Sequence, residues 1–122
     1  MAKNMDVPLL YDFYGDMLTD KQRDMIEQYY DQDLSLSEIA ENAGISRQGV
    51  RDSVKRAEMQ LIEMEDRLGV VAKVKVIQAS LELIEQHADS ICKTAVAHDE
   101  KEIEDDASNL LLLIEKLRKH IM

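Results

Sequence analysis

The sequence contains few residues of the kinds that end helices, close disulfides or fill β-sandwich cores. Among 122 residues there are one proline, four glycines and one cysteine, no tryptophan, and only 4% aromatic residues. This scarcity favours helices joined by short loops over a sandwich or barrel. The single cysteine, Cys92, allows no internal disulfide, as is usual in a reducing compartment. We therefore predict an all-α fold and a cytoplasmic location.

Long apolar runs and catalytic motifs are missing as well. No stretch approaches the roughly 18 residues of a membrane span, and residues 1–6 lack the apolar segment of a signal peptide. There is no His-Glu-x-x-His motif, Gly-rich phosphate loop or nucleophile elbow. On a helix His87 and His98 would lie about 16 Å apart, too far to share a metal ion. We predict no enzyme activity, no cofactor, no metal site and no membrane insertion.

The balance of charge is acidic, with 15 basic and 25 acidic residues and a formal net charge of −10. Such a balance is unusual in a nucleic-acid-binding protein, because a polyanion repels a polyanion. The exception is the segment 46–58, in which four basic residues stand against two acidic ones, a local charge of +2. Any contact with a nucleic acid is therefore expected in this segment.

Apolar spacing and capping residues predict helices throughout the first half of the chain. The four predicted helices are at about residues 6–18, 20–31, 36–42 and 47–68. Thr19 and Ser35 each begin a capping box with a polar residue three positions later, and Asp6 and Ser46 are expected to cap the first and fourth helices. Gly69 is expected to end or bend the fourth helix.

The segment from Ser35 to Ala57 has the features of a helix-turn-helix. Ala40 is small enough for a close helix crossing, Gly44 suits the turn, and Val50 and Val54 would fix the second helix. Ile45 is expected to enter the core. The alternative to a helix-turn-helix is an ordinary corner between two helices, whose charged face is simply exposed to solvent.

The second helix of this motif would direct its polar residues outward. Its N-terminus and guanidinium groups suit phosphates and guanine edges. Tyr29 and Tyr30 are alternative stacking residues for RNA, although a core position is favoured for them. The predicted nucleic-acid-binding residues are Arg47, Gln48, Arg51, Lys55 and Arg56.

The second half changes to a heptad pattern, at residues 70–95 and 103–121, interrupted at His98-Asp99. The pattern predicts a helical hairpin, with Asp99 beginning a third capping box. Residues 70–76 alternate as a strand would, but the heptad phase continues through them and favours helix. The run from Leu110 to Ile114 is apolar on every side, which indicates a further partner helix. We predict a domain at 1–68, an oligomerisation hairpin at 69–122, and a homodimer through Leu81, Ile84, Leu110, Leu111, Ile114 and Leu117.

Several short motifs together give the first half a recognisable character. They are Leu18-Thr19-Asp20-Lys21-Gln22-Arg23, Tyr29-Tyr30, Leu34-Ser35-Leu36-Ser37-Glu38-Ile39-Ala40-Glu41 and Gly44-Ile45-Ser46-Arg47-Gln48. Over about residues 9–68 the chain resembles region 4 of sigma factors and, more narrowly, the YlxM-like family of small helix-turn-helix proteins. Gly49 and Arg51 depart from the pattern of that family.

The resemblance implies an all-α, sigma region 4-like bundle followed by a long-helix hairpin, and an association with the signal recognition particle pathway. The function it implies is that of a DNA-binding regulator linked to that pathway. Two alternatives stay open, a protein or RNA interaction component of the particle and a sigma-like module that binds RNA polymerase.

Overall fold

The computed structural model describes residues 1–121, and over these residues the chain forms helices joined by short turns. A 3₁₀ turn at Gly15–Met17 follows the first helix, and a π-helical turn at Glu27–Asp31 extends the second. The all-α prediction is confirmed, including helix rather than strand at residues 70–76. Within residues 1–121 the six α-helices are α1 (Val7–Tyr14), α2 (Asp20–Ile26), α3 (Leu36–Ala43), α4 (Arg47–Leu68), α5 (Val70–Ala97) and α6 (Lys101–Ile121).

The helix ends follow the predicted caps at most positions. The Thr19 and Ser35 hydroxyls accept backbone N–H groups of their third helical residues at 3.2 and 3.1 Å, which completes both capping boxes. Two predicted caps are wrong. Asp6 has helical backbone angles and no capping bond, and its own N–H donates to the Asn4 side chain at 2.9 Å. Asp99 has a φ of 56°, whereas an N-cap residue is extended.

Residues 1–71 form one compact unit around α4. Helices α1, α2 and α3 all pack against α4. Helix α4 contributes one stripe of fully buried side chains to the core between these helices. Ile26 of α2 and Ile39 of α3 are also almost fully buried, at 1% and 0% exposed. The stripe on α4 consists of Val50, Val54, Ala57 and Leu61, each 0% exposed.

Polar contacts join the distant ends of this unit. The Tyr14 hydroxyl donates to Glu65 at 2.6 Å and accepts the N–H of Val70 at 3.2 Å, and the Val71 N–H donates to the same Glu65 oxygen at 3.0 Å. Burial and the bond to Glu65 raise the pKa of Tyr14. These bonds hold the C-terminal end of α4 on α1 and satisfy backbone groups next to Gly69, where the chain turns through a left-handed residue.

A second polar cluster fixes α3. Gln28 is buried, and its amide group donates to Asp24 at 3.0 Å and accepts from Asn42 at 3.2 Å. Because Asn42 lies near the C-terminal end of α3, this cluster positions the helix that precedes the turn into α4.

The second compact unit begins at Ala72 and contains the hairpin of α5 and α6. Small and branched side chains meet along the seam between the two helices, and Glu85 forms an ion pair with Arg118 beside it. The Glu100 N–H donates to the Ala95 carbonyl at 2.8 Å, which closes the end of α5 around the left-handed Asp99. The buried seam residues are Leu81, Ala88, Ala95, Ala107 and Ile114.

The hairpin separates the six predicted oligomerisation residues into two groups. Leu81 and Ile114 are buried within the hairpin itself, and Leu111 packs against them. Leu81 and Ile114 are therefore not available to a partner while the hairpin is formed, whereas Leu111 is only partly buried. Ile84, Leu110 and Leu117 are exposed. No helix within residues 1–121 is both long and apolar enough to cross a membrane.

Candidate nucleic-acid interface

The turn between α3 and α4 has the geometry that its sequence predicts. Gly44 has a φ of 69°, a left-handed conformation that glycine adopts without steric cost. The N–H groups of Gly44 and Ile45 donate to the Ala40 carbonyl at 2.9 and 3.2 Å. The backbone then becomes extended at Ser46, whose hydroxyl accepts the Gly49 N–H at 3.0 Å and caps α4. The helix-turn-helix prediction is confirmed.

Ile45 does not enter the core, and that prediction is wrong. Ile45 is 36% exposed, whereas Ile39 before the turn and Val50 after it are 0% exposed. Ile45 lies over the first turn of α4 instead. A methyl group added at Gly49 would lie 3.6 Å from the Ile45 Cδ1 atom and 3.1 Å from the Ser46 hydroxyl. Gly49 costs about 1 kcal/mol of helix propensity but leaves room for the capping bond.

All five predicted nucleic-acid-binding residues lie on the exposed surface of α4. A step of four residues advances by about 40° around a helix, so Arg47, Arg51 and Lys55 form one slanted stripe. Gln48 lies beside this stripe. Arg56 lies about 100° further round than Lys55, so the five residues form a broad patch rather than a single line.

The arginines of this patch have free guanidinium groups. Within residues 1–121, Arg47, Arg51 and Arg56 form no ion pair with a carboxylate, whereas Arg23 and Arg67 both do. Free guanidinium groups can bind phosphate oxygens or guanine edges without first breaking a bond within the protein.

Two acidic residues reduce the positive charge of the patch. The Gln48 amide donates to Asp52 at 3.0 Å, so this glutamine must exchange a bond in order to contact a base. Glu58 is partly buried, and burial raises its pKa although Tyr30 and Lys55 act in the opposite direction. Glu58 lies close enough to Lys55 to be affected by its charge, so Arg47 and Arg51, further towards the N-terminus of α4, are the strongest candidates for contact.

The exposed surface of α4 changes sign along its length. Beyond Arg56 it continues through Met59, which is 69% exposed, to the acidic Glu63 and Asp66. The basic part of the helix therefore extends over only its first three turns. The sequence alone did not indicate Met59, since a single methionine between Glu58 and Gln60 gives no pattern.

The two tyrosines proposed as alternative stacking residues are occupied by the N-terminal segment. Tyr29 is 5% exposed, and its hydroxyl donates to the Met1 carbonyl at 3.0 Å. The Tyr30 hydroxyl accepts the Asn4 N–H at 3.1 Å, and burial raises its pKa to about 12. The rings meet edge to face with centroids 5.2 Å apart, and the Lys3 ammonium lies 4.9 Å from the Tyr29 centroid. These contacts give both tyrosines a packing role.

The side chains that could bind a metal ion or react as nucleophiles do not form a cluster within the described residues. Within the described residues, no group of three or more His, Cys, Asp or Glu side chains is arranged to hold a metal ion. The Cys92 sulfur is partly buried, 3.8 Å from the Ser108 hydroxyl.

Comparison with known proteins agrees with this geometry. The UPF0122 family, described as "Putative helix-turn-helix protein, YlxM / p13 like", matches residues 1–105. The chain belongs to the UPF0122 family. The match continues through α5 and into α6, well beyond the segment at 9–68 in which sequence motifs are recognisable, so the first helix of the hairpin is part of the family pattern.

Individual UPF0122 relatives are similar over most of the chain. A UPF0122 protein of Caldanaerobacter subterraneus subsp. tengcongensis is 53% identical over 78 residues, which cover 64% of this chain and 67% of that protein. A UPF0122 protein of Clostridium kluyveri is 42% identical over 91 residues, which cover 75% of this chain and 82% of that protein.

Proposed function

We propose that this UPF0122 protein is a non-enzymatic nucleic-acid-binding protein that contacts its ligand with the first three turns of α4. The observation that carries the proposal is the set of free guanidinium groups on Arg47, Arg51 and Arg56, presented by the second helix of a helix-turn-helix. An α-helix fits the major groove of B-DNA, and an arginine there can bind the O6 and N7 atoms of guanine.

The charge distribution implies few contacts and hence modest affinity for non-specific DNA. The whole chain carries −10, so within the first unit the patch is the surface expected to attract a phosphate backbone. Arg47 and Gln48 lie in the first turn of α4, nearest the groove if the helix enters by its N-terminus. Arg51 and Lys55 follow one and two turns later, where phosphate contacts are expected.

The more specific role follows from the resemblance to YlxM-like proteins. We propose a DNA-binding regulator connected with the signal recognition particle pathway, located in the cytoplasm. An alternative is an interaction component of that particle, or a sigma-like module that binds RNA polymerase. The acidic surface and the exposed Met59 beside the patch favour this alternative, because an apolar side chain next to free arginines suits a protein surface.

Binding measured as a function of salt concentration tests the proposal. Duplex DNA from a randomised pool and the RNA of the particle are the two probes, with the wild-type chain, Arg47→Ala and Arg51→Ala. An arginine that contacts a phosphate should lower the slope of log K against log salt by about one unit. An arginine that reads guanine should cost about 1–3 kcal/mol and relax sequence preference.

Arg67→Ala is the matched control, because Arg67 is exposed in the last turn of the same helix and pairs with Glu63 at 2.9 Å. It should leave binding unchanged. Absence of binding to either probe at low salt would overturn the proposal, and so would an equal loss in Arg67→Ala and Arg51→Ala.

A further inference from the structure

The hairpin exposes a regular set of large apolar side chains. Three lie on α5 at seven-residue intervals, and three lie on α6 at the same interval. Their side chains are between 39% and 54% exposed, although the spacing is that of a helix packing seam. They are Ile77, Ile84, Ile91, Ile103, Leu110 and Leu117.

These six side chains lie on one side of the hairpin. Ile84 follows the buried Leu81 by three residues, and Leu117 follows the buried Ile114 by three, so each is rotated by about 60° in the same sense from the seam. In two antiparallel helices that face each other, equal rotations lead to the same side. Ile91 and Ile103 accordingly line one shallow groove on that side. We call this set of six the apolar face.

The size of the apolar face indicates how large a partner surface would be needed to cover it. Helix α6 has 21 residues and is about 31 Å long, and two packed helices are together about 20 Å wide. The projected area of about 600 Å² is comparable to the roughly 800 Å² of accessible surface that each partner buries in a standard interface. A second hairpin has the same width and length, so it would cover both rows of this face along their whole extent.

The charges on α6 point to a second copy of this chain and to its direction. The first turns of α6 are acidic, with Glu102 and Asp106 close to the apolar face, and its last turns are basic, with Lys116 and His120. If two hairpins pack with their loops at opposite ends, the two α6 helices lie antiparallel. The acidic end of each α6 then lies beside the basic end of the other.

We propose that the apolar face is the interface of a homodimer, in which two hairpins form a four-helix bundle with their loops at opposite ends. The side of the hairpin on which Glu85 pairs with Arg118 stays in solvent. The proposal does not depend on nucleic-acid binding and is tested without any nucleic acid.

Sedimentation of the full chain at tens of micromolar tests the interface. The wild type should be a dimer. Leu110→Asp should weaken the dimer by at least about 100-fold, because burial of an unpaired carboxylate is costly. Leu112→Asp is the matched control, since Leu112 is 64% exposed on the outer side of the same helix, and it should remain dimeric. A monomeric wild type, or equal weakening by both variants, would overturn the proposal.

A pair of charge-reversal variants tests the direction and guards against misfolding of Leu110→Asp. One carries Glu102→Lys with Asp106→Lys, and the other carries Lys116→Glu with His120→Glu. Each should keep its helical circular dichroism and associate with itself at least about tenfold more weakly than the wild type, because like charges then meet at both ends. A mixture of the two should form heterodimers of restored affinity. Self-association at the wild-type level, or a mixture no tighter than its components, would contradict the antiparallel arrangement.

Discussion

The two compact units differ in how completely they bury their apolar side chains. In the first unit, three helices surround α4, so the one apolar stripe of α4 is fully covered and Leu61 is 0% exposed. In the hairpin each helix has a single neighbour, and an apolar stripe wider than one seam remains partly in solvent, as at Leu110 and Leu117. The number of neighbouring helices, rather than the hydrophobicity of the sequence, decides which heptad positions are buried.

The largest expected effect contrasts a core leucine with a leucine of the apolar face. Leu61→Ala should cost about 2–5 kcal/mol of unfolding free energy, because it leaves a cavity in a closed core. That cost should not depend on protein concentration. Leu117→Ala should have little effect in dilute solution, and its effect should grow with protein concentration as dimerisation contributes to stability.

Denaturant unfolding followed by circular dichroism at two protein concentrations, about a hundredfold apart, measures both variants. If Leu117→Ala lowered the unfolding free energy by the same large amount at both protein concentrations, the apolar face would already be covered within one chain. The contrast between the units would then be wrong.

A second contrast uses pH, because all four tyrosines lie in the first unit. Burial raises the pKa values of Tyr11 and Tyr30 to about 12, and in Tyr11 the bond to Glu27 acts in the same direction. The folded unit therefore retains protons that the unfolded chain releases near pH 10. Its stability should be undiminished below pH 10 and should fall as the pH rises from 10 through 12.

Tyrosinate absorbance measured from pH 9 to 12.5 follows these ionisations, and thermal melts over the same range report stability. Native protein should ionise later than protein in denaturant, and Tyr11→Phe should reduce the loss of stability with pH. Identical titrations with and without denaturant would contradict the burial of these hydroxyls.

The smallest expected effect concerns the cap of the helix that precedes the turn. Ser35→Ala removes the acceptor of the Glu38 N–H and should cost about 1 kcal/mol. Ser37→Ala, an exposed position two residues further on, is the matched control and should be neutral or slightly stabilising. Equal melting temperatures for the two variants would show that the cap does not stabilise α3.

Capping residues, glycines and the spacing of apolar residues made much of the fold predictable from the sequence. The bounds of α4 at Arg47 and Leu68 agree with prediction, because Ser46 supplies a cap and Gly69 a left-handed end. The exposure of the basic residues could also be read from the sequence, since they alternate with the buried Val50 and Val54.

Tertiary context decided the features that were not predictable. Ile45 is apolar like a core residue, but the buried side chains on either side of the turn are those of Ile39 and Val50. Asp6 and Asp99 both have side chains that can cap a helix. The Asp6 N–H instead donates to the Asn4 side chain, and the backbone of Asp99 is left-handed. Leu81 and Leu110 both belong to the apolar spacing of three and four residues in the hairpin, and only the packing of α5 on α6 shows which of the two seven-residue rows is buried.

The proposed function depends on contact between the nucleic acid and the first three turns of α4. The most direct test is a titration of ¹⁵N-labelled protein with a selected DNA duplex, followed by amide chemical shifts. The largest changes should occur at residues 46–56 and fade beyond Met59, where the surface of α4 becomes acidic. Changes concentrated in the hairpin or in residues 1–33, with the amides of 46–56 unmoved, would contradict it.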